Sequence, residues 1–170
     1  FHLIIGIMCL FGFNLPETHH RYYLAESFTD FWRRINIYWK DFMMKLFYFP
    51  IYLSLRRYGL TLAMILATLV TFFITWLLHS YQWFWLRGTF TLHPQDMIFW
   101  GILAVLVTAN SLYEEKYGRK RKSLTRRDKL SVTDALTRSA KTVGVFVLIS
   151  ILWSFWTSSS IDQWIAVMSV

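Results

Sequence analysis

Cysteine, proline and glycine are scarce in this 170-residue chain, which contains one, three and seven of them respectively. The one cysteine, Cys9, lies in an apolar run, which excludes a disulfide or a multi-thiolate metal site within the chain. The sequence also has no glycine-rich phosphate loop, no internal repeat and no cluster of metal-ligand residue types. We therefore expect no metal site.

Charged residues are also few, at 16% of the chain, whereas hydrophobic residues make up 55% and aromatic residues 19%. This composition lies outside that of soluble domains and predicts a membrane protein. The segment Tyr58–Leu86 contains no Asp, Glu, Lys or Arg, and as a helix it would extend about 43 Å, enough to cross a bilayer. Met97–Tyr113 and Thr142–Ile161, the latter ending around Trp156, are two further uncharged runs. We therefore predict an all-α polytopic membrane protein with about three transmembrane helices.

Both ends of the chain are apolar. The opening FHLIIGIMCLFGFNLP has no initiator methionine, and it lacks the basic flank and the small-residue cleavage site of a signal peptide. The closing IDQWIAVMSV stops within a second apolar run. We expect residues 1–170 to form a single membrane-embedded domain that is the carboxy-terminal part of a larger multi-helix protein.

One loop carries most of the net charge. Between Glu114 and Lys141, ten basic residues stand against four acidic ones, which gives +6 of the chain's +8. Lys and Arg resist translocation, so loop 114–141 is predicted to be cytoplasmic and to be drawn to anionic lipid headgroups. The alternative is that this loop contacts another polyanion, either nucleic acid or an acidic carrier protein. Of these two, we do not expect nucleic acid to be a partner. On this topology Arg87–Asp96 lies outside, and His79 lies nearer the outer face.

Residues 22–41 predict an amphipathic helix, because apolar and aromatic side chains recur there at helical spacing. Such a helix would lie at the membrane interface rather than cross it. Asp30 and Arg34 are four residues apart with the acid first, which favours an ion pair. Asn36 falls on the apolar face, so its amide needs a partner. The stripe consists of Leu24, Phe28, Phe31, Trp32, Ile35 and Trp39.

The segment that follows, FMMKLFYFPIYLSLRRYG, is too short and too broken for a crossing helix. Pro50 removes a helical hydrogen-bond donor, and such interruptions are tolerated at membrane depth where protein or a water-filled cavity covers the backbone. We predict a re-entrant or broken element here. His19 and His20, together with Glu17, are interpreted as a polar loop.

His79 interrupts the apolar run LVTFFITWLLHSYQWFWLRG. A lipid-embedded helix would normally carry leucine at this position. An ionisable residue inside a spanning segment is costly and is by default a functional candidate. The alternative is a helix-packing histidine that is bonded to a neighbouring carbonyl.

Together, SFTDFWRRINIYWKDFMMKLFYFP and TFFITWLLHSYQWFWLRG resemble the carboxy-terminal portion of the membrane-bound O-acyltransferase (MBOAT) family. The family pattern is an F-W-R-R block followed by histidine or asparagine, an element ending in Tyr/Phe-x-P, and a later helix with an apolar-W-H-G signature. The likeness is closest to the bacterial alginate O-acetyltransferase and D-alanyl-lipoteichoic acid transferase type. Asn36 stands where those bacterial members carry histidine, and Leu78 and Ser80 replace the tryptophan and glycine around His79. The matching positions are Phe31, Trp32, Arg33, Arg34, Pro50 and His79.

The resemblance implies transfer of an acyl group from acyl-CoA or an acylated carrier protein to a hydroxyl acceptor. The implied acceptor is an exported polysaccharide or another cell-envelope polymer at the bacterial plasma membrane, with an accessory acyl-transfer protein as a further partner and no bound cofactor. With this chemistry, we expect His79 to be the general base and Arg33 and Arg34 to serve the scaffold. Asn36 cannot be a base. Its amide NH₂ can donate to the thioester carbonyl, which is the role we expect, or its oxygen can orient the acceptor; a structural hydrogen bond alone is the alternative. Two alternatives stay open: a lipid acceptor, and a transporter-like or scaffold protein without enzymatic activity.

Overall fold

The computed structural model describes residues 2–88, 93–117, 132–158 and 160–169, and throughout these ranges the regular structure is helical without a strand. The predicted all-α class is confirmed. Short turns of 3₁₀ geometry occupy Tyr22–Leu24 and Arg56–Tyr58, and a π-helical turn occupies Met44–Tyr48. The helices are α1 (His2–Leu10), α2 (Phe28–Arg34), α3 (Ile37–Met43), α4 (Phe49–Leu55), α5 (Leu60–Arg87), α6 (Pro94–Tyr117), α7 (Val132–Thr157) and α8 (Ile161–Met168).

Three of these helices, α5, α6 and α7, are long and apolar enough to cross a membrane. The chain is therefore an integral membrane protein with three candidate spans, as its uncharged runs predict. α6 and α7 extend beyond those runs, since a helix continues into polar turns after its apolar section ends. Residues 118–131, which carry most of the basic loop, lie outside the described part of the chain.

The prediction of one amphipathic helix over residues 22–41 is wrong. The helical stretch breaks between α2 and α3, where Ile35 is extended and Asn36 adopts a left-handed conformation with φ 42°. Asparagine tolerates this conformation better than most residues, and its side chain can cap the helix that follows. Asn36 Oδ1 accepts a hydrogen bond from the Trp39 backbone N–H at 3.4 Å. The stripe of apolar residues is thus divided between two short helices that meet at Asn36.

The predicted broken element is present as an interruption of the helix before Pro50. Immediately before Pro50, the Phe49 backbone N–H donates to the Met44 carbonyl five residues earlier, which widens the helix to π geometry. A wider turn accommodates a proline that has no N–H to offer and whose ring would crowd a normal α-turn. The chain consequently continues from α3 through α4 as one interrupted helix, which packs along α5.

The core lies where α2, α5, α6 and α7 meet, and four of its ten residues are aromatic. Polar ties fix α2 in place. The predicted pair forms, with Arg34 2.8 Å from the Asp30 carboxylate, and Arg33 reaches Glu114 of α6 at 3.4 Å. The core consists of Ala25, Phe31, Phe72, Phe99, Trp100, Leu103, Ala104, Val107, Val145 and Ile149.

Candidate functional site

A cavity of about 300 Å³ brings together residues that are distant in sequence, among them residues near the start of α6 and the end of α7. His79 and Asn36, 43 positions apart, both line it, and so does His19. We name it the histidine cavity. Its remaining wall is mostly aromatic and includes five tryptophans, Trp32, Trp39, Trp100, Trp153 and Trp156.

The imidazole of His79 is held in one orientation. Its Nδ1 lies 2.9 Å from the Thr75 backbone carbonyl, and because a carbonyl only accepts, Nδ1 carries the proton. Two indoles enclose the ring: Trp39 meets it edge-on at 5.5 Å between centroids, and Trp100 lies at 4.8 Å. In the neutral ring the lone pair is then on Nε2. His79 therefore makes the carbonyl bond expected of a packing histidine and also presents a defined proton-accepting nitrogen.

His79 continues a row of polar side chains along one face of α5. Thr71 donates its hydroxyl to the Ala67 carbonyl at 2.7 Å, and Thr75 donates to the Thr71 carbonyl at 2.8 Å. Both threonines are buried, and such back-bonds to the carbonyl four residues earlier satisfy a hydroxyl inside an apolar helix. The four-residue spacing of Thr71, Thr75 and His79 was visible in the sequence, and it marks the face of α5 that turns inward.

Asn36 combines a structural bond with a place at the cavity. Its amide oxygen is used in capping α3, while its amide NH₂ group is the part that can donate to a ligand. The side chain is exposed rather than packed on an apolar helix face. The partner that the amide of Asn36 was expected to need is therefore the backbone N–H of Trp39, three residues later. Its role as a donor to a thioester carbonyl stays a prediction.

The predicted polar loop holds for His20 but is wrong for His19. His20 is exposed and lies 3.3 Å from the Glu17 carboxylate, whereas His19 is only 5% exposed. The His19 Nδ1 lies 2.8 Å from the Thr18 hydroxyl, and its ring lines the histidine cavity. One of these adjacent histidines therefore faces solvent, and the other faces the core.

Two backbone hydrogen bonds explain how His19 reaches the cavity. The His20 N–H donates to the Arg34 carbonyl at 3.0 Å, and the Ile37 N–H donates to the Thr18 carbonyl at 2.8 Å. The segment around His19 is thereby fastened to the break between α2 and α3. Because that break was itself unforeseen, no sequence signal indicated that this loop would join the site.

A second cavity, of about 340 Å³, shares Trp32 with the first, and we name it the lysine cavity. Its wall holds more polar side chains, including Thr29, Arg33, Lys40 and Asp41. Lys40 and Asp41 pair with each other at 2.6 Å. The Trp32 ring, 4.5 Å from the ring of Phe72, stands where the two cavities adjoin.

No family model, curated protein or solved structure matches this chain. Within the described ranges, no group of three or more His, Cys, Asp or Glu side chains is arranged to hold a metal ion.

Proposed function

We propose that this chain is a membrane O-acyltransferase of the MBOAT type, which moves an acyl group from a thioester to a hydroxyl acceptor. The observation that carries the proposal is the setting of His79. Its tautomer is fixed by the Thr75 carbonyl, and its ring is enclosed by two indoles in a cavity that Asn36 also lines.

The chemistry needs a base because a neutral hydroxyl is a poor nucleophile. His79 Nε2 takes the hydroxyl proton as the oxygen attacks the thioester carbonyl carbon. A C–O bond forms, the C–S bond breaks, and the departing thiolate receives the same proton from the imidazolium. A positioned base of this kind contributes about 10² to 10⁴ in rate. The surrounding tryptophans keep bulk water from the thioester.

The other matched residues fit supporting roles. The Asn36 amide can donate to the thioester carbonyl as negative charge develops on its oxygen. Arg34 is paired with Asp30 within α2, and Arg33 links α2 to Glu114 of α6, so both guanidinium groups are engaged in ion pairs. These pairs favour a scaffold role for the two arginines.

The proposed donor is acyl-CoA or an acylated carrier protein, and the proposed acceptor is an exported polysaccharide or another cell-envelope polymer. The location we propose is the bacterial plasma membrane with loop 114–141 in the cytoplasm, and an accessory protein would assist the transfer. Two charge features support this orientation: the net +6 of that loop, and Arg56 and Arg57 just before α5. His79 then lies toward the outer half of its span.

Labelled acyl transfer to polymer and to lipid in membranes tests the proposal. We expect His79→Ala to lose about 10² or more of the transfer rate, whereas His20→Ala, at an exposed histidine, keeps it. Undiminished transfer by a stably folded His79→Ala would contradict the base assignment. Label found in lipid would change the acceptor to a lipid, and a wild type without any transfer would favour the non-enzymatic alternative.

A further inference from the structure

Trp39 is the aromatic residue of the histidine cavity that is most closely tied to both proposed site residues. It lies one turn after Asn36, and its backbone N–H donates to the Asn36 side chain. Its ring meets the His79 ring nearly at right angles, with an interplanar angle of 87°. The local fold of α3 thus places one indole against the proposed base.

The indole Nε1–H of Trp39 is buried, and no hydrogen-bond acceptor of the described residues reaches it. Buried indole N–H groups usually find a partner, because leaving such a donor unsatisfied is unfavourable. Two other tryptophans show the usual situation: Trp156 donates to the Asp96 carboxylate, and Trp164 donates to the Ser154 hydroxyl at 2.8 Å. Trp39 differs from both in that its side chain lines a cavity and contacts a histidine ring there.

We infer that the Trp39 indole N–H is a substrate-binding group, and that its partner is the carbonyl oxygen of the acyl donor. The inference rests on the proposed function and adds a catalytic residue to it. As the acceptor hydroxyl attacks, the carbonyl oxygen gains negative charge, and a donor already fixed in place stabilises that charge without reorganisation. The indole cannot take up a proton, so its role is distinct from that of His79.

The position of Trp39 suits a carbonyl ligand better than an anion. The cavity wall is mostly aromatic, and the cations nearest in sequence, Lys40 and Arg34, are engaged with Asp41 and Asp30. A neutral carbonyl with a short acyl chain loses little hydration on entering such a site, whereas a phosphate or carboxylate would lose much more. The cavity of about 300 Å³ is also of the size that holds a small ligand.

A matched control exists within the chain. Trp76 of α5 also has a buried indole N–H that lacks a partner in the described ranges, but Trp76 is not part of the histidine cavity wall. Replacing either tryptophan by benzothienylalanine exchanges the N–H for sulfur and keeps the shape of the ring. We expect the change at Trp39 to lower kcat by about 10² and to raise KM by a smaller factor, because the bond forms on binding and strengthens in the transition state. The same change at Trp76 should leave both constants as they are.

Binding can be followed without turnover. In full-length protein with isotope-labelled indole nitrogens, the Trp39 N–H resonance should shift when S-acetyl-N-acetylcysteamine is added, while the Trp76 resonance should not. The inference is overturned if the Trp39 resonance stays in place and the Trp39 variant keeps its kcat. This conclusion holds also if His79→Ala abolishes transfer, because the proposed function would then stand without the Trp39 donor. If His79→Ala keeps transfer while the Trp39 resonance shifts and kcat falls, the base assignment fails and the inference stands.

Discussion

The histidine cavity and the lysine cavity share Trp32 in their walls but differ in how their polar side chains are paired. In the histidine cavity, each polar side chain comes from a separate segment and is oriented by a local hydrogen bond. In the lysine cavity, Thr71 donates back to its own helix, but Lys40 and Asp41 are sequence neighbours that neutralise each other, and the Thr29 hydroxyl has no partner in the described ranges. Orientation by neighbouring backbone and hydroxyl groups is what a reaction requires, because a base or donor must meet its substrate in one geometry. The comparison predicts that changes in the first cavity alter activity and that changes in the second have minor effects.

Asn36 offers the largest expected effect among the residues other than His79 and Trp39. Asn36→Gly keeps a residue that accepts φ 42° but removes the amide, so the break between α2 and α3 should survive. We expect acyl transfer to fall about 10²-fold, because one donor to the developing oxyanion is lost. Circular dichroism and thermal melting check the fold. A glycine variant that transfers at the wild-type rate would show that the amide serves only as a helix cap.

His19 and His20 form a natural pair for the next test. His19→Gln changes a buried group at the cavity, and we expect about a tenfold loss of transfer, a smaller effect than loss of the base. His20→Gln changes an exposed group, and its transfer rate should match that of the wild type. Equal rates for the two variants would remove His19 from the site.

Two acidic residues compare a buried ion pair with an exposed one. Asp30 is 7% exposed, so Asp30→Asn should lower the free energy of unfolding by about 2 kcal/mol by leaving Arg34 without its counter-ion. The carboxylate of Asp41 is 51% exposed, and Asp41→Asn should change stability by about 0.5 kcal/mol or less. Unfolding in detergent micelles measures both. The reverse order would mean that the lysine cavity, not α2, is the more tightly held region.

The smallest effect is expected at Thr29. Its hydroxyl is buried without a partner in the described part of the chain, so Thr29→Val removes an unsatisfied group while keeping the shape of the side chain. Stability should be unchanged or about 0.5 to 1 kcal/mol higher, and transfer should be unaffected. A clear loss of either would indicate that the Thr29 hydroxyl has a functional partner.

The fold class and the three spans could be predicted from sequence because a charge-free run of sufficient length has few alternatives in a membrane. The Asp30–Arg34 ion pair could also be predicted, because its two residues are only four positions apart in the sequence. Asn36 and His79 were singled out separately, one through a motif and one through its cost in an apolar helix. Their meeting at one cavity depends on how α3 packs against α5.

The features that could not be predicted from the sequence depend on tertiary packing. The stripe across residues 22–41 has the same period whether it forms one helix or two, and only the left-handed conformation of Asn36 distinguishes them. The place of His19 at the cavity depends on that break, because backbone hydrogen bonds attach its loop there. Such bonds leave no pattern of side chains in the sequence. The Trp39 donor likewise becomes visible only once the burial of its Nε1 is known.

The most direct test of the central claim is chemical rescue of His79→Ala by free imidazole, measured as the rate of labelled acyl transfer in membranes. We predict a rate near background without imidazole and partial recovery with it, rising with the fraction of imidazole that is unprotonated. The account is contradicted if the folded variant transfers acyl groups at the wild-type rate without imidazole, or if imidazole restores nothing.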